Sequence, residues 1–596
     1  MRILDKLEST TDIKKLTLDE LKMLASEIRE EIVSVVNANG GHLSSNLGIV
    51  ETTLALYYTF DFPSDKLVFD VGHQCYAHKI LSGRKEKFST IRTDGGISGF
   101  LDAEESEYDC FSMGHAGTSI AVSLGLCTAR DKLGENNYVV NVIGDGSLVN
   151  GLSLEAITAK QFKPDKYIVI LNDNGMSISK NKNGFYRFIS RETTKKGYVK
   201  SKNFIKRIFG ESFVTKFFRK IRNFLKRIFG RGSTFDKFGF KYVGVINGND
   251  LGNLIKVLKN VKDFSSQRAV FLHLSTTKGK GMSCAEEHAD LYHGVGKDLK
   301  NSDGGFSSAL ASKLNSVIEK DEKVIAITAG MKDGTGLNKV EEKHPDNVFD
   351  VGIAEEYAVT YAAGMAKGGL KPIVCIYSTF LQRAYDQILH DVCLQNLPVV
   401  FCVDRAGLVG ADGKTHQGVF DLSYLTHLPN MTVLCPTDEK DLSVAVDYAL
   451  SLNSPVAIRY PKDAKNIEYN AIPFPNWITV SKGSDTAILA VGPRMVQLAL
   501  KVKEQSGRDL SIISARTVKP LDMAMLESLN NVNVITLEEN SEIGGFGSQV
   551  LEVRERLNCK FNTVIMGIKD EFIKHGSIDK QLEYNGLTEE KVILKL

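Results

Sequence analysis

The chain has no Cys-x-x-Cys pair among its nine cysteines, an odd number, which argues against both a disulfide framework and a zinc knuckle. Buried thiols in a reducing compartment are expected instead. It also lacks any apolar run long enough to span a bilayer, and its first stretch, MRILDKLESTTDIKK, lacks the apolar core of a signal peptide, so a cytoplasmic location is expected. Net charge is nearly absent too, at +2, but it is unevenly spread: residues 195–231 hold 13 Lys and Arg against one acid, Glu211. The rest is mildly acidic, and no nucleic-acid partner is expected. What is present is an ordinary soluble composition, 43% hydrophobic and 24% charged, over 596 residues, too many for one core.

Residues 138–179 organise the rest. A β-branched run at 138–143 ends in Gly144-Asp145-Gly146, a helical spacing covers 152–160, and a second apolar run at 167–171 ends in Asn172-Asp173-Asn174. In a βαβ unit both strands end at the same edge of a parallel sheet, so Asp145 and Asn174 should converge there. A carboxylate and an amide oxygen are hard ligands that suit Mg²⁺, which completes its shell with phosphate oxygens and water. The glycines allow a diphosphate to approach the backbone. This GDG…N spacing resembles the thiamine diphosphate fingerprint of transketolase-like enzymes.

Elsewhere, Thr17 and Glu20 predict a capping box on a helix over 17–36, which ends at a Gly-Gly turn before His42. A strand at 68–72 runs into His73, and Gly114-His115 opens a small-residue run, 116–129, whose helix N-terminus would suit a diphosphate. Lys278 lies in a Lys-Gly loop after a strand at 270–275; His293 follows without clear periodicity, and 301–305 reads as a linker. A second α/β series repeats the pentapeptide VFDVG at 348–352, now leading to Glu355, and carries a Gly-rich loop at 405–418. After a Pro-rich boundary at 473–476, a smaller α/β domain offers no catalytic cluster. Its Glu538-Glu539-Asn540 turn reads as structural or interfacial.

The segments GGHLSSNLG, DVGHQCYAHKILSGR, NDNGMSIS, KPIVCIYSTFLQRAYDQILHDV, DRAGLVGADGKTHQGVFDLSYL and VAIRYP, collinear along the whole chain, resemble the 1-deoxy-D-xylulose-5-phosphate synthase family. That resemblance implies an α/β fold of three mainly parallel domains of the transketolase-like, thiamine diphosphate-binding kind: 1–303 for Mg²⁺ and diphosphate, 304–475 for the pyrimidine, and 476–596. It implies a homodimer that condenses pyruvate with D-glyceraldehyde 3-phosphate and releases CO₂, opening non-mevalonate isoprenoid synthesis and feeding thiamine synthesis. By position, Asp145, Asn174 and the Met176 carbonyl match metal ligands. His73, Gly114, His115, Ala116, Gly146, Ser147, Lys278 and Met282 match the cofactor's surroundings. Glu355 matches the buried, protonated acid at the aminopyrimidine, and Phe380 that ring's aromatic neighbour. His42, His73, His293, Asp412 and His416 match polar groups at the reacting centre. Tyr377, Arg383, Arg405 and Arg459 match the acceptor pocket, where Arg suits phosphate.

The sequence departs from the family at Ala116-Gly117, Asn247–Asp250, Met282, Glu356 and Tyr357. Two alternatives share many of these residues: transketolase-like two-carbon transfer, and a cofactor-binding paralogue without catalysis. Within the basic insert, aromatic and aliphatic residues recur at three- and four-residue steps from Phe204 to Phe229. Such a cationic helix can lie on an anionic membrane, but amphipathicity is first a folding signal, so a lid packed over the enzyme is preferred.

Overall fold

The computed structural model describes residues 2–159, 164–175, 234–299 and 305–596. Met176, the basic insert and the linker expected at 301–305, except Gly305, lie outside the described residues. Two compact units emerge: Met1–Ile91 with Gly99–Lys300, and Arg92–Ser98 with Asn301–Leu596. Among the described residues, no helix is long and apolar enough to cross a membrane.

The first unit is built on five parallel strands: β1 (Lys66–Phe69), β2 (Val139–Gly144), β3 (Tyr167–Asp173), β4 (Lys241–Asn247) and β5 (Val270–Ser275). Their order is β1-β2-β3-β5-β4. β2, β3 and β5 are almost wholly buried, which is why they read as continuous apolar runs. β4 is an edge strand, largely exposed, and its weak apolar pattern gives no strand signal in the sequence. The expected capping box is present on the helix Leu18–Asn39: the Glu20 carboxylate accepts from Thr17 N–H at 2.8 Å, and Thr17 Oγ1 from Glu20 N–H at 3.3 Å.

The second unit holds two sheets. One contains β6 (Val324–Thr328), β7 (Val348–Asp350), β8 (Lys371–Tyr377), β9 (Val400–Asp404), β10 (Thr432–Leu434) and β11 (Val456–Arg459), parallel throughout. The other contains β12 (Ile478–Ser481), β13 (Thr486–Ala490), β14 (Leu510–Ser514), β16 (Asn533–Ser541) and β17 (Thr563–Ile568), with only β12 antiparallel. β15 (Thr517–Lys519) comes from the C-terminal part of the chain yet pairs antiparallel with β10, giving the order β15-β10-β11-β9-β8-β6-β7. The Pro-rich stretch at 473–476 therefore separates two sheets, and the chain after it still lends a strand to the first of them.

Both copies of VFDVG end a strand, and in both the aspartate turns back onto the backbone. Asp70 accepts from the N–H groups of Gly117 (2.9 Å) and Ser119 (3.1 Å), while Asp350 accepts from those of Gly330 (2.8 Å) and Gly352 (3.0 Å).

Candidate active site

In the first unit, the carboxyl ends of four neighbouring strands deliver the candidate residues. β1 leads to His73, β2 to Asp145, β3 to Asn174 and β5 to Lys278, and the register pairs Gly144 with Asn172 and Asp173 with Ser275. The convergence expected of Asp145 and Asn174 follows from this parallel order. Asp145 is 3% exposed, and its Oδ2 has no hydrogen-bond partner. Burial, reinforced by Asp173, pushes its pKa well above the usual carboxylate range, and Lys278 opposes the shift. A desolvated carboxylate oxygen without a partner is costly unless a cation meets it. Among the described residues no three His, Cys, Asp or Glu side chains come close enough to hold a metal. A cation at Asp145 would thus draw on amide, carbonyl and ligand oxygens, the shell Mg²⁺ takes. The donor set fits.

His42, His73 and His293 form a triangle of rings, with centroids 5.6, 5.6 and 5.5 Å apart. His73 Nδ1 is buried without a partner, and His293 Nδ1 faces Ser45 Oγ at 3.2 Å. Burial, together with Lys278 and the neighbouring rings, holds both His73 and His293 well below the ordinary histidine pKa. They are neutral at pH 7, able to accept a proton. Lys278 is itself 5% exposed and lowered by burial to about 8, with Asp145 and Asp290 countering.

Asn46 brings two of these histidines together, a role its sequence context does not suggest. Its Nδ2 donates to the carbonyls of both His42 and His73 at 2.7 Å, and its Oδ1 accepts from Tyr76 N–H at 2.9 Å. An antiparallel bridge between Gly41 and Val295 brings in His293. Asn172 is equally hidden from sequence reasoning: it donates to Gln74 at 2.7 Å and accepts from Thr276 at 2.6 Å, locking the end of β3 to the loops after β1 and β5. Asn172 is thereby committed to the fold.

The small-residue helix begins at Ser119, later than expected, and its leading N–H groups at Gly117 and Ser119 are taken by Asp70. The diphosphate expected at that terminus would find these two donors occupied. Gly114, His115 and Ala116 form the turn before the helix, and Gly146 and Ser147 the short helix Asp145–Leu148 after β2. The departure at Gly117 has a structural reason. Its φ is +86°, and a Cβ would lie 2.4 Å from Asn150 Oδ1. The departure at Asn247–Asp250 also has one: Asn249 Oδ1 accepts from Thr277 N–H at 2.8 Å, tethering the Lys278 loop. Met282 is half-buried at the start of the short helix Ser283–Glu287.

In the second unit, Glu355 opens the helix Glu355–Lys367 and is 2% exposed. Burial raises its pKa to about 7, even though Arg383 Nη1, 3.3 Å from Oε2, pulls the other way. Tyr357 is 55% exposed and stacks on Tyr361. Phe380 stacks on Tyr377 at 6.0 Å and meets His416 edge-on at 5.5 Å. Burial lowers the His416 pKa, and Asp412 pairs with Arg92. Arg405 follows β9 with φ +55°, unusual for a residue with a Cβ. Its guanidinium lies 4.4 Å above the Tyr377 ring, pairs with Asp404 and donates to Ser307 at 2.9 Å. Arg459, at the end of neighbouring β11, is 5% exposed: Nε donates to Asp421 at 2.8 Å, and Nη2 to the carbonyls of Glu539 and Gly418 at 2.6 and 3.3 Å. It is thus a structural tie, whatever else it binds.

The family model described as 1-deoxy-D-xylulose-5-phosphate synthase matches residues 4–276, the transketolase pyrimidine-binding domain 305–466, and the transketolase C-terminal domain 476–592. A 1-deoxy-D-xylulose-5-phosphate synthase of Clostridium tetani is 45% identical over 99% of this chain and 98% of its own. One of Carboxydothermus hydrogenoformans is 45% identical over 100% and 98%. A solved transketolase from Campylobacter jejuni aligns over 97% of this chain and 99% of its own at 18% identity, with a TM-score of 0.43.

Proposed function

The chain belongs to the 1-deoxy-D-xylulose-5-phosphate synthase family, and from that premise we propose that it condenses pyruvate with D-glyceraldehyde 3-phosphate, releasing CO₂ and forming 1-deoxy-D-xylulose 5-phosphate. Thiamine diphosphate, when bound, supplies the carbon nucleophile and electron sink of this chemistry. The protein's own groups do the rest. Asp145 and Asn174, with Met176 by resemblance, would hold Mg²⁺, and Lys278 would add positive charge for the diphosphate. Glu355, its pKa raised by burial to about 7, is substantially protonated at neutral pH and would donate that proton in a hydrogen bond to the aminopyrimidine ring. His73 and His293, held neutral by burial, and His42 beside them take and return protons as oxygens gain and lose charge. Arg405, stacked on Tyr377, binds the acceptor phosphate, with Arg459 as an anchored second charge.

The observation that carries this reading is Glu355: a buried carboxyl whose pKa lies near 7 is an acid held ready at working pH. A homodimer in the cytoplasm completes the proposal. Exposed Tyr357 and Leu394 support an apolar face for a second copy. The test is to supply pyruvate, thiamine diphosphate and Mg²⁺, with and without the aldehyde, and follow CO₂ and products. A phosphorylated five-carbon ketose is expected with both substrates; CO₂ without it, or no CO₂ at all, would sink the proposal.

A further inference from the structure

The C-terminal sheet has the order β12-β14-β13-β16-β17, so the connections leaving β13 and β16 run to opposite sides. Open α/β sheets bind ligands at such a switch point, outside the carboxyl ends of the strands. Here the place is filled by the chain itself. Leu408, from the Gly-rich loop after β9, is fully buried there with Ile488, Ala490 and Leu537. Around it the C-terminal residues hold the loop's backbone at successive points. Glu539 Oε1 accepts from Leu408 N–H at 3.3 Å and pairs with Arg494 at 2.5 Å, and Arg494 donates to the Leu408 carbonyl at 3.2 Å. Two residues on, Gln581 grips Gly410 from both sides: its Oε1 accepts from the N–H at 3.2 Å, and its Nε2 donates to the carbonyl at 3.0 Å. At Gly413, where φ is +68°, a Cβ would lie 2.9 Å from His575.

We infer that the C-terminal sheet and its flanking helices serve as a brace for the 405–418 loop, with Gln581 a positioning residue for Asp412 and His416. Gln581 is 4% exposed and sits on a helix, Ile578–Tyr584, that carries none of the candidate site residues. Its side-chain amide adds to the backbone bonds that the Gly410 carbonyl accepts from Gly413 and Gly576 N–H, at 3.2 and 3.4 Å. The loop itself is closed at its base by paired hydrogen bonds between Gly407 and Gly418, at 2.6 and 2.8 Å. Base and tip are thus fixed independently, and Asp412 and His416 lie between the two fixings. The first is internal to the loop; the second is supplied by Gln581, on the helix Ile578–Tyr584.

The inference rests on the function proposed above, and its test separates the two. In the full-length protein loaded with thiamine diphosphate and Mg²⁺, Gln581→Leu should lower kcat/KM for D-glyceraldehyde 3-phosphate about tenfold, the effect of losing one or two buried hydrogen bonds. Cofactor affinity and KM for pyruvate should stay within about twofold, and amide hydrogen exchange in 405–418 should accelerate. Aldehyde kinetics like the parent's, or equal losses for pyruvate and aldehyde, would overturn the assignment. If Gln581→Leu does not fold, Arg494→Met decides by the same measurements. If the parent forms no ketose, the functional proposal fails, while unchanged exchange in the loop of Gln581→Leu would still overturn the brace.

Discussion

Replacing Glu355 by Gln removes an ionisable group from a site where ionisation is disfavoured. The folded protein holds this carboxyl at about 7 against an ordinary 4.5. At about 1.4 kcal/mol per pH unit, the difference is about 3 kcal/mol. The folded state therefore binds more protons than the unfolded chain between pH 4.5 and 7. The contribution to stability is fully present below pH 4.5 and is lost as pH rises through 7. Glu355→Gln stays neutral throughout, so parent stability relative to this variant should fall by about 3 kcal/mol between pH 4 and 8. Denaturation midpoints of the unliganded proteins across that range measure the change. Difference infrared spectra should show a protonated carboxyl band, absent from the variant, that titrates near pH 7. A midpoint at 4 to 5, or a stability gap that ignores pH, would refute the role of burial.

Three further outcomes can be checked on the same preparations. Asp145→Ala should abolish Mg²⁺-dependent binding of thiamine diphosphate by calorimetry, because it removes the buried oxygen that lacks a partner; unchanged affinity would defeat the metal assignment. Arg405→Ala should cost roughly a hundredfold in kcat/KM for glyceraldehyde 3-phosphate and leave unphosphorylated D-glyceraldehyde nearly unaffected, since a charged hydrogen-bonding partner contributes about 2 to 3 kcal/mol. Asn46→Ala should lower turnover about tenfold and shift the pH profile without changing Mg²⁺ dependence, because the His42 and His73 carbonyls lose their common donor.

Much of the site was legible because parallel strands hide apolar runs and expose their carboxyl ends. Asp145, Asn174, Lys278 and Glu355 each follow such a run by a few residues, and β5, β6 and β14 fall where the sequence puts them. Edge strands were harder. β4 alternates poorly because little of it is buried, and β15 is three residues that pair with a strand far back in the chain. Cross-loop ties were not legible at all. Asn46, Asn172, Gln581 and Glu539 each reach a distant partner, from 27 positions away for Asn46 with His73 to 171 for Gln581 with Gly410, and no local pattern encodes such distances. Arg459's ties were equally hidden: it donates to Asp421 and to the carbonyls of Gly418 and Glu539, which its place after a strand does not suggest.

The paired VFDVG strand ends bear on how mutational maps of this protein should be interpreted. Asp70 and Asp350 sit at the same sheet edges as Asp145 and Glu355, and a scan that scores only product would rank all four together. Yet the first two spend their oxygens on the amides of Gly117, Ser119, Gly330 and Gly352. They tie strand end to turn, Asp70 from a buried position and Asp350 from an exposed one, at the turns from which the chemistry projects. Loss at either is architectural damage, to be sorted from chemical damage by the amount of intact protein that survives.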